Sequence, residues 1–198
     1  MRMIEWRIAG CRVQISCLFF AAAALLLMSD GGTVTVLGLA ASLLHEMGHL
    51  VAMPLLGCTP TLLCLGIFGM RVEYPQGVRI GYRRAAAISL AGPAVNYLMA
   101  GLFFGPFSHA AAGWVHLLLG IFHLLPIDSL DGGQALRSLL LCRISPERAG
   151  RVLAVTSAVC LFAVAVLGGA VLWAGGYNFT LLLLAIYLTF LLIFKKKD

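Results

Sequence analysis

Two histidines and a glutamate in the first half of the chain have the spacing of a metal-dependent hydrolase. The segment reads His45-Glu46-Met47-Gly48-His49, and on a helix the two imidazoles lie one turn apart on the same face. That arrangement suits two ligands of one zinc ion. The Glu46 carboxylate stands beside them, where it could take a proton from water activated by the metal. The pattern therefore predicts a zinc site with Glu46 as general base and not as a ligand.

The surroundings of this motif strengthen that interpretation. His45, Glu46 and His49 lie in a long apolar stretch. Each such side chain inside a membrane span costs roughly 2–3 kcal/mol on insertion scales, so it is seldom present there without a function. A metal site is therefore favoured over a chance match.

A third protein ligand has to come from elsewhere in the chain. A third histidine in the extended form of the motif is excluded, because Leu55 occupies its position. Glu73 is one candidate carboxylate, although Arg71 and Arg79 offer it ordinary surface partners. Asp131 is the favoured candidate, because it follows a proline in an apolar stretch where broken backbone is expected to line a cavity. Two other acidic residues lie among cations and are expected to be solvated: Glu147 and Asp198.

Three signatures together resemble the site-2 protease family of intramembrane zinc metalloproteases. They are the motif at 45–49, the segment Ser89–Asn96 with its Gly-Pro pair, and the segment Leu124–Gly133 with its Asp-Gly-Gly. The compact sporulation-type members, similar to stage IV sporulation protein FB, are the nearest in pattern. The resemblance implies that His45, His49 and Asp131 ligate one Zn²⁺ per chain and that Glu46 is the catalytic base. It also implies that Asn96 helps to hold the substrate or the oxyanion.

The chain departs from the family pattern in the third signature. His123 stands where the family usually has Asn, and Asp128 where it often has Pro. We expect His123 to position substrate together with Asn96, although an imidazole there could also ligate the metal or titrate. For Asn96 the alternative is a polar side chain that bridges packed helices. His109 and His116 are expected to be interfacial or packing residues far from the site.

Composition places these motifs in a membrane. The chain has 198 residues, is 61% hydrophobic, and has a mean hydropathy of +0.98, which is too apolar for one soluble core. About six stretches are long enough to span a bilayer: 13–29, 33–56, 84–105, 110–140, 152–174 and 179–194. The predicted fold is an all-α integral membrane protein of about six transmembrane helices with a short β-hairpin-like cytoplasmic loop. We expect a single domain over residues 1–198, with its core motifs at 42–133.

The charge distribution predicts the orientation of these helices. The 14 Lys and Arg residues fall in four segments, before the first span, between spans two and three, at the junction of spans four and five, and after span six. Because cationic residues are retained on the cytoplasmic side, both termini are expected there, in a multi-pass protein of a bacterial cell membrane. The net charge of +6 is thus attributed to topology and contact with the lipid bilayer, and no nucleic-acid partner is expected.

The longest loop, roughly 57–83, has the pattern of a β-hairpin. The expected strands run from Leu65 to Tyr74 and from Val78 to Ile80, with a turn at Pro75-Gln76-Gly77. The hairpin is either ordinary surface structure or an edge to which an extended substrate adds as a strand.

These features predict an intramembrane zinc metalloendopeptidase. Its substrates would be membrane-embedded or membrane-associated proteins, and the cut would release a cytoplasmic regulatory fragment such as a transcription- or sigma-factor precursor. Regulatory membrane partners are also expected. The alternatives are a metal transporter, since intramembrane His and Asp can mark an ion pathway, and an inactive relative that acts as a membrane-protein scaffold.

Overall fold

The computed structural model describes residues 3–8, 11–16, 32–66, 69–73 and 80–174, together with positions 186 and 189. Over these ranges the chain forms four strands and five main helices. The strands are β1 (Met3–Ile8), β2 (Cys11–Ser16), β3 (Leu62–Gly66) and β4 (Gly69–Glu73). The helices are α1 (Thr33–Leu55), α2 (Tyr82–Phe104), α3 (Ala110–His123), α4 (Asp131–Leu141) and α5 (Pro146–Trp173).

Three of these helices are long and apolar enough to cross a membrane. They are α1, α2 and α5, and they match the predicted spans 33–56, 84–105 and 152–174. The predicted span 110–140 is divided into α3 and α4, at the break expected from Pro126. All but two positions of the span 179–194, and most of 13–29, lie outside the described residues. The fold is therefore mainly helical and of membrane type, and the number six stays a prediction.

A four-stranded sheet accompanies the helices, so the all-α expectation is wrong for the N-terminal segment. The strands lie in the order β1-β2-β3-β4, with β2 and β3 parallel and the outer pairs antiparallel. Residues 13–16, assigned to the first span from their hydropathy, belong to β2. Charged and apolar residues alternate through Glu5, Trp6 and Arg7, the period-two pattern of a strand, which hydropathy averaged over a long window conceals.

The predicted cytoplasmic hairpin exists but is shifted along the chain. β3 ends at Gly66 and β4 begins at Gly69, so the strand expected from Leu65 to Tyr74 is wrong. The predicted turn at 75–77 lies outside the described residues. The sheet also joins the segments that precede and follow α1, because β2 pairs with β3. The side of the membrane on which these segments lie stays a prediction.

Helix α1 ends in a Schellman motif. Gly57 has a φ of 72°, the left-handed conformation that glycine adopts without strain. The Gly57 N–H donates to the carbonyl of Pro54, and the Cys58 N–H donates to the carbonyl of Met53 at 2.8 Å. Met53 and Cys58 then pack with Ile88 of α2 in one buried cluster. This end fixes the direction in which the chain leaves the motif helix towards the sheet.

Helix α2 is the centre of the helical part and contacts α1, α3 and α4. It crosses α1 closely at Gly48, where a Cβ atom would lie 2.7 Å from the carbonyl oxygen of Ala91. The glycine inside the His-Glu-x-x-His motif therefore lets the two backbones touch. As a result, both motif histidines press directly against α2.

A compact loop joins α3 to α4 and is held from two sides. Gly132 and Gly133, in the first turn of α4, lie so close to the loop that a Cβ atom on either would overlap a backbone carbonyl, of Leu124 and Ile127 respectively. From α5, the hydroxyl of Ser157 accepts a hydrogen bond from the Asp128 N–H at 3.0 Å and donates to the Pro126 carbonyl. These contacts fix the point at which α4, and with it Asp131, begins.

Candidate metal centre

Three side chains from two helices meet in the interior of the protein. His45 and His49 come from α1, and Asp131 is the first residue of α4. The Nε2 atom of His45 lies 2.9 Å from Oδ2 of Asp131, and Nε2 of His49 lies 3.4 Å from Oδ1 of the same carboxylate. The two Nε2 atoms are 3.2 Å apart. One ligand atom from each residue therefore falls within 4.8 Å of the others, a spacing that could hold a metal ion.

Both imidazoles are oriented by helix α2. Nδ1 of His49 donates to the carbonyl oxygen of Ile88 at 2.7 Å, which leaves Nε2 to face the centre. Nδ1 of His45 lies 3.0 Å from the side-chain amide of Asn96. Ligating histidines in metalloproteins usually have such a partner on the other ring nitrogen, because it fixes the tautomer and the ring plane.

Gly92 provides the space in which these imidazoles face each other. A Cβ atom at this position would lie 2.7 Å from Nε2 of His45 and would overlap Nε2 of His49. Gly92 lies one turn after Ile88 and one turn before Asn96 on α2. One face of this helix therefore carries the hydrogen-bond partners of both histidines and, between them, the space that the imidazoles occupy. The glycine of the Gly-Pro-x-x-Asn signature is thus explained, because any larger residue would collide with the two imidazoles.

Glu46 lies next to the cluster but does not belong to the ligand triad. It is less buried than His45 and His49, and it directly follows His45 on α1. A carboxylate beside a zinc site can take a proton from water that the metal would activate. This placement suits the role of general base.

His123 contacts the site through Asp131. Its Nδ1 lies 2.7 Å from Oδ2 of that carboxylate, and its ring centroid is 4.1 Å from that of His45. The imidazole therefore donates to the candidate ligand Asp131. This contact supports a role that the sequence did not suggest, orientation of the carboxylate, and the expected positioning of substrate by His123 stays a prediction.

Asn96 is fully buried, and histidines engage both ends of its amide. The amide nitrogen faces His45, and the amide oxygen lies 3.1 Å from Nδ1 of His116. The expectation that His116 is far from the site is therefore wrong. Hydropathy alone placed His116 near the outer end of a span. No pattern in the sequence pairs positions 96 and 116, because their contact depends on how α2 and α3 pack.

The donor set fits zinc. Two neutral imidazoles and one carboxylate are a common ligand set for a catalytic zinc ion, which keeps a further position open. Glu73, the alternative carboxylate, belongs to β4, and the main chain of Asp128 is bound by Ser157 and Gln134 in the loop before α4. Among the described side chains, Asp131 supplies the carboxylate that forms a possible ligand group with the two histidines.

No family profile matches the sequence. Individual proteins are nevertheless similar to it in sequence. Rip3 of Mycobacterium tuberculosis, whose name provisionally assigns it zinc metalloprotease activity, is 33% identical over 168 aligned residues, which cover 73% of this chain and 42% of Rip3. The similarly named protein sll0528 of Synechocystis sp. is 30% identical over 132 residues, covering 56% of this chain and 34% of that protein. The chain thus spans less than half the length of these curated relatives.

A solved structure shares the fold. The site-2 protease from Methanocaldococcus jannaschii superposes with a TM-score of 0.65 at 19% identity, covering 96% of this chain and 93% of that one. Together, these likenesses support the resemblance to the site-2 protease family: the chain shares the fold of one site-2 protease and is similar in sequence to proteins named as zinc metalloproteases. The narrower sporulation type stays a prediction.

Proposed function

We propose that this protein is an intramembrane zinc endopeptidase whose metal is held by His45, His49 and Asp131. One observation carries the proposal: α1 and α4 bring two imidazoles and a carboxylate within 4.8 Å of one another, beside Glu46, in a fold built on membrane-length helices. When bound, the ion supplies Lewis-acid polarisation of the scissile carbonyl and activation of water.

The residues around the ligands transfer the proton and position the ligands. Glu46 accepts the proton of the attacking water and passes it to the leaving amine, which is the general acid–base role. His123 and Asn96 hold Asp131 and His45 in place through their hydrogen bonds. Because both ends of the Asn96 amide are already engaged, we assign Asn96 a positioning role in place of the substrate contact expected from the family resemblance.

The substrates proposed are membrane-embedded or membrane-associated proteins. Proteases bind their substrates as extended chains, and an extended chain can add to the free edge of a sheet. Within the described sheet β4 is an outer strand that follows the motif helix, which supports capture of substrate there. The product would be a cytoplasmic regulatory fragment, such as a transcription- or sigma-factor precursor, and the sporulation subtype belongs to this same proposal.

In the test, three proteins are each incubated with candidate single-span membrane substrates. They are the wild type, Glu46→Gln and the control Glu147→Gln. Glu147 is an exposed glutamate in the first turn of α5, so the control removes the same charge far from the ligands. We expect about one zinc per chain in all three, by elemental analysis, and cleavage by the wild type and the control alone. Cleavage by Glu46→Gln would refute the assignment of the base, and absence of zinc from the wild type would refute the centre.

The same three proteins separate the alternatives. A scaffold would bind its partner equally well after Glu46→Gln, and a transporter would carry zinc across proteoliposomes. A protease carries no zinc across and cleaves only with Glu46 present, whereas a scaffold binds its partner without cleaving it even as the wild type. Zinc flux through the wild type without cleavage would favour the transporter.

A further inference from the structure

Resting on the proposed zinc site, we propose that His116 is a positioning residue that fixes, through Asn96, which nitrogen of His45 faces the metal. His116 lies on α3 and is 3% exposed. It belongs to none of the three signatures that mark the family. Its contacts nevertheless connect it to a prospective ligand through a single side chain.

The connection is a chain of two hydrogen bonds. Nδ1 of His116 lies 3.1 Å from the amide oxygen of Asn96, and Nδ1 of His45 lies 3.0 Å from the amide nitrogen. Asn96 itself has no exposed surface. A buried amide that loses one of these partners would keep a desolvated polar group without compensation, so the two bonds support each other.

The His116 ring is also held in its plane. It stacks on Phe103 of α2 with centroids 5.5 Å apart and an interplanar angle of 20°. At Gly120, one turn further along α3, a Cβ atom would stand 3.3 Å from Cβ of Asn96, so the two helices touch on this side of the amide. Packing therefore leaves the imidazole little freedom to turn away from Asn96.

The chemistry of an amide couples the two histidines. An amide offers a donor at its nitrogen and an acceptor at its oxygen, so it must accept from one Nδ1 and donate to the other. A half-turn about the last side-chain torsion exchanges these two ends. For His45 to offer the lone pair of Nε2 to a metal while neutral, its Nδ1 must carry the proton. In the structure the amide nitrogen faces His45 and the amide oxygen faces His116, so in the zinc-loaded protein the amide must be turned over: its oxygen accepts from His45 and its nitrogen donates to His116.

This requirement determines the state of His116 in the zinc-loaded protein. Its Nδ1 has to be an acceptor, so its proton must lie on Nε2. A residue that cannot accept at this point would leave the amide nitrogen of Asn96 unpaired. The amide would then be free to turn its nitrogen towards His45, which opposes the tautomer that binds metal.

The first test is a matched pair of variants, His116→Asn and His116→Leu. The two replacements have the same shape, and the amide oxygen of Asn stands one bond beyond Cγ, where Nδ1 of histidine stands. We expect His116→Leu to weaken zinc affinity about 10- to 100-fold, as loss of an outer partner of a ligand does, and His116→Asn to retain most of it. Competition with a chelator gives the affinity, and circular dichroism confirms the fold. Equal zinc affinity in a folded His116→Leu protein would overturn the proposal.

The second test needs no variant. Nitrogen-15 spectra of the histidine-labelled wild type report the tautomer of each of the five imidazoles. The proposal requires the Nε2–H tautomer of His116 in the zinc-loaded protein, and an Nδ1–H signal there would overturn it. If the wild type binds no zinc, the proposed function fails and this inference fails with it. If it binds zinc normally but His116 does not behave as stated, the inference fails alone.

Discussion

Nδ1 of His123 lies 2.7 Å from Oδ2 of Asp131, so a histidine at the end of α3 orients the carboxylate at the start of α4. The family pattern usually has Asn at position 123. Nδ1 of histidine and the amide nitrogen of asparagine both lie one bond beyond Cγ. Either residue can therefore place a hydrogen-bond donor at the same point. Histidine in place of asparagine at position 123 thus retains the donor to Asp131.

This relationship predicts opposite outcomes for two replacements of His123. His123→Asn retains the donor and should keep zinc affinity and cleavage close to those of the wild type. His123→Leu removes a hydrogen bond to a charged group, worth about 1.5–3 kcal/mol, and should lower zinc affinity by roughly tenfold or more. Chelator competition and cleavage of a membrane substrate measure both. Full activity of the leucine variant would show that the Asp131 contact is dispensable.

Gly92→Ala should abolish metal binding. Its Cβ atom would occupy space now held by the Nε2 atoms of His45 and His49. Gly101→Ala on the same helix is the control, because a Cβ atom there meets no atom of the described part of the chain within 4 Å. Zinc content per purified chain distinguishes the two variants. If Gly92→Ala still holds one zinc ion, the imidazoles have more freedom than the structure shows.

Ser157→Ala should loosen the loop that sets the start of α4. The partly buried Asp128 N–H would lose its acceptor, at a cost of about 1 kcal/mol. We expect a lower unfolding midpoint and weaker zinc binding, because Asp131 follows this loop. Thr156→Ala is the neighbouring control, since its hydroxyl donates only to Leu153 of its own helix. Equal midpoints for the two variants would contradict the anchoring role.

Gly132→Ala and Gly150→Ala should change stability in opposite directions. Alanine favours a helix over glycine by about 0.5–1 kcal/mol, and a Cβ atom at Gly150 meets none of the described residues within 4 Å. At Gly132 the Cβ atom would overlap the backbone carbonyl of Leu124. Thermal unfolding in detergent should show a higher midpoint for Gly150→Ala and a markedly lower one for Gly132→Ala. A stabilised Gly132→Ala protein would refute the close contact between loop and helix.

The sequence by itself determined the membrane class and singled out the candidate metal ligands. Hydropathy revealed α1, α2 and α5, because long apolar stretches need no tertiary context to be recognised. The spacing of His45 and His49 follows from helix geometry alone, and Asp131 could be favoured because few acidic residues compete with it.

Only the tertiary structure decided which side chains meet across helices. The pairing of His116 with Asn96, and of His123 with Asp131, depends on how α2, α3 and α4 pack, and no local pattern encodes that packing. The sheet was missed for a related reason. β2 gains its parallel partner β3 from beyond a whole helix, and such long-range pairing leaves only a short alternating pattern in the sequence.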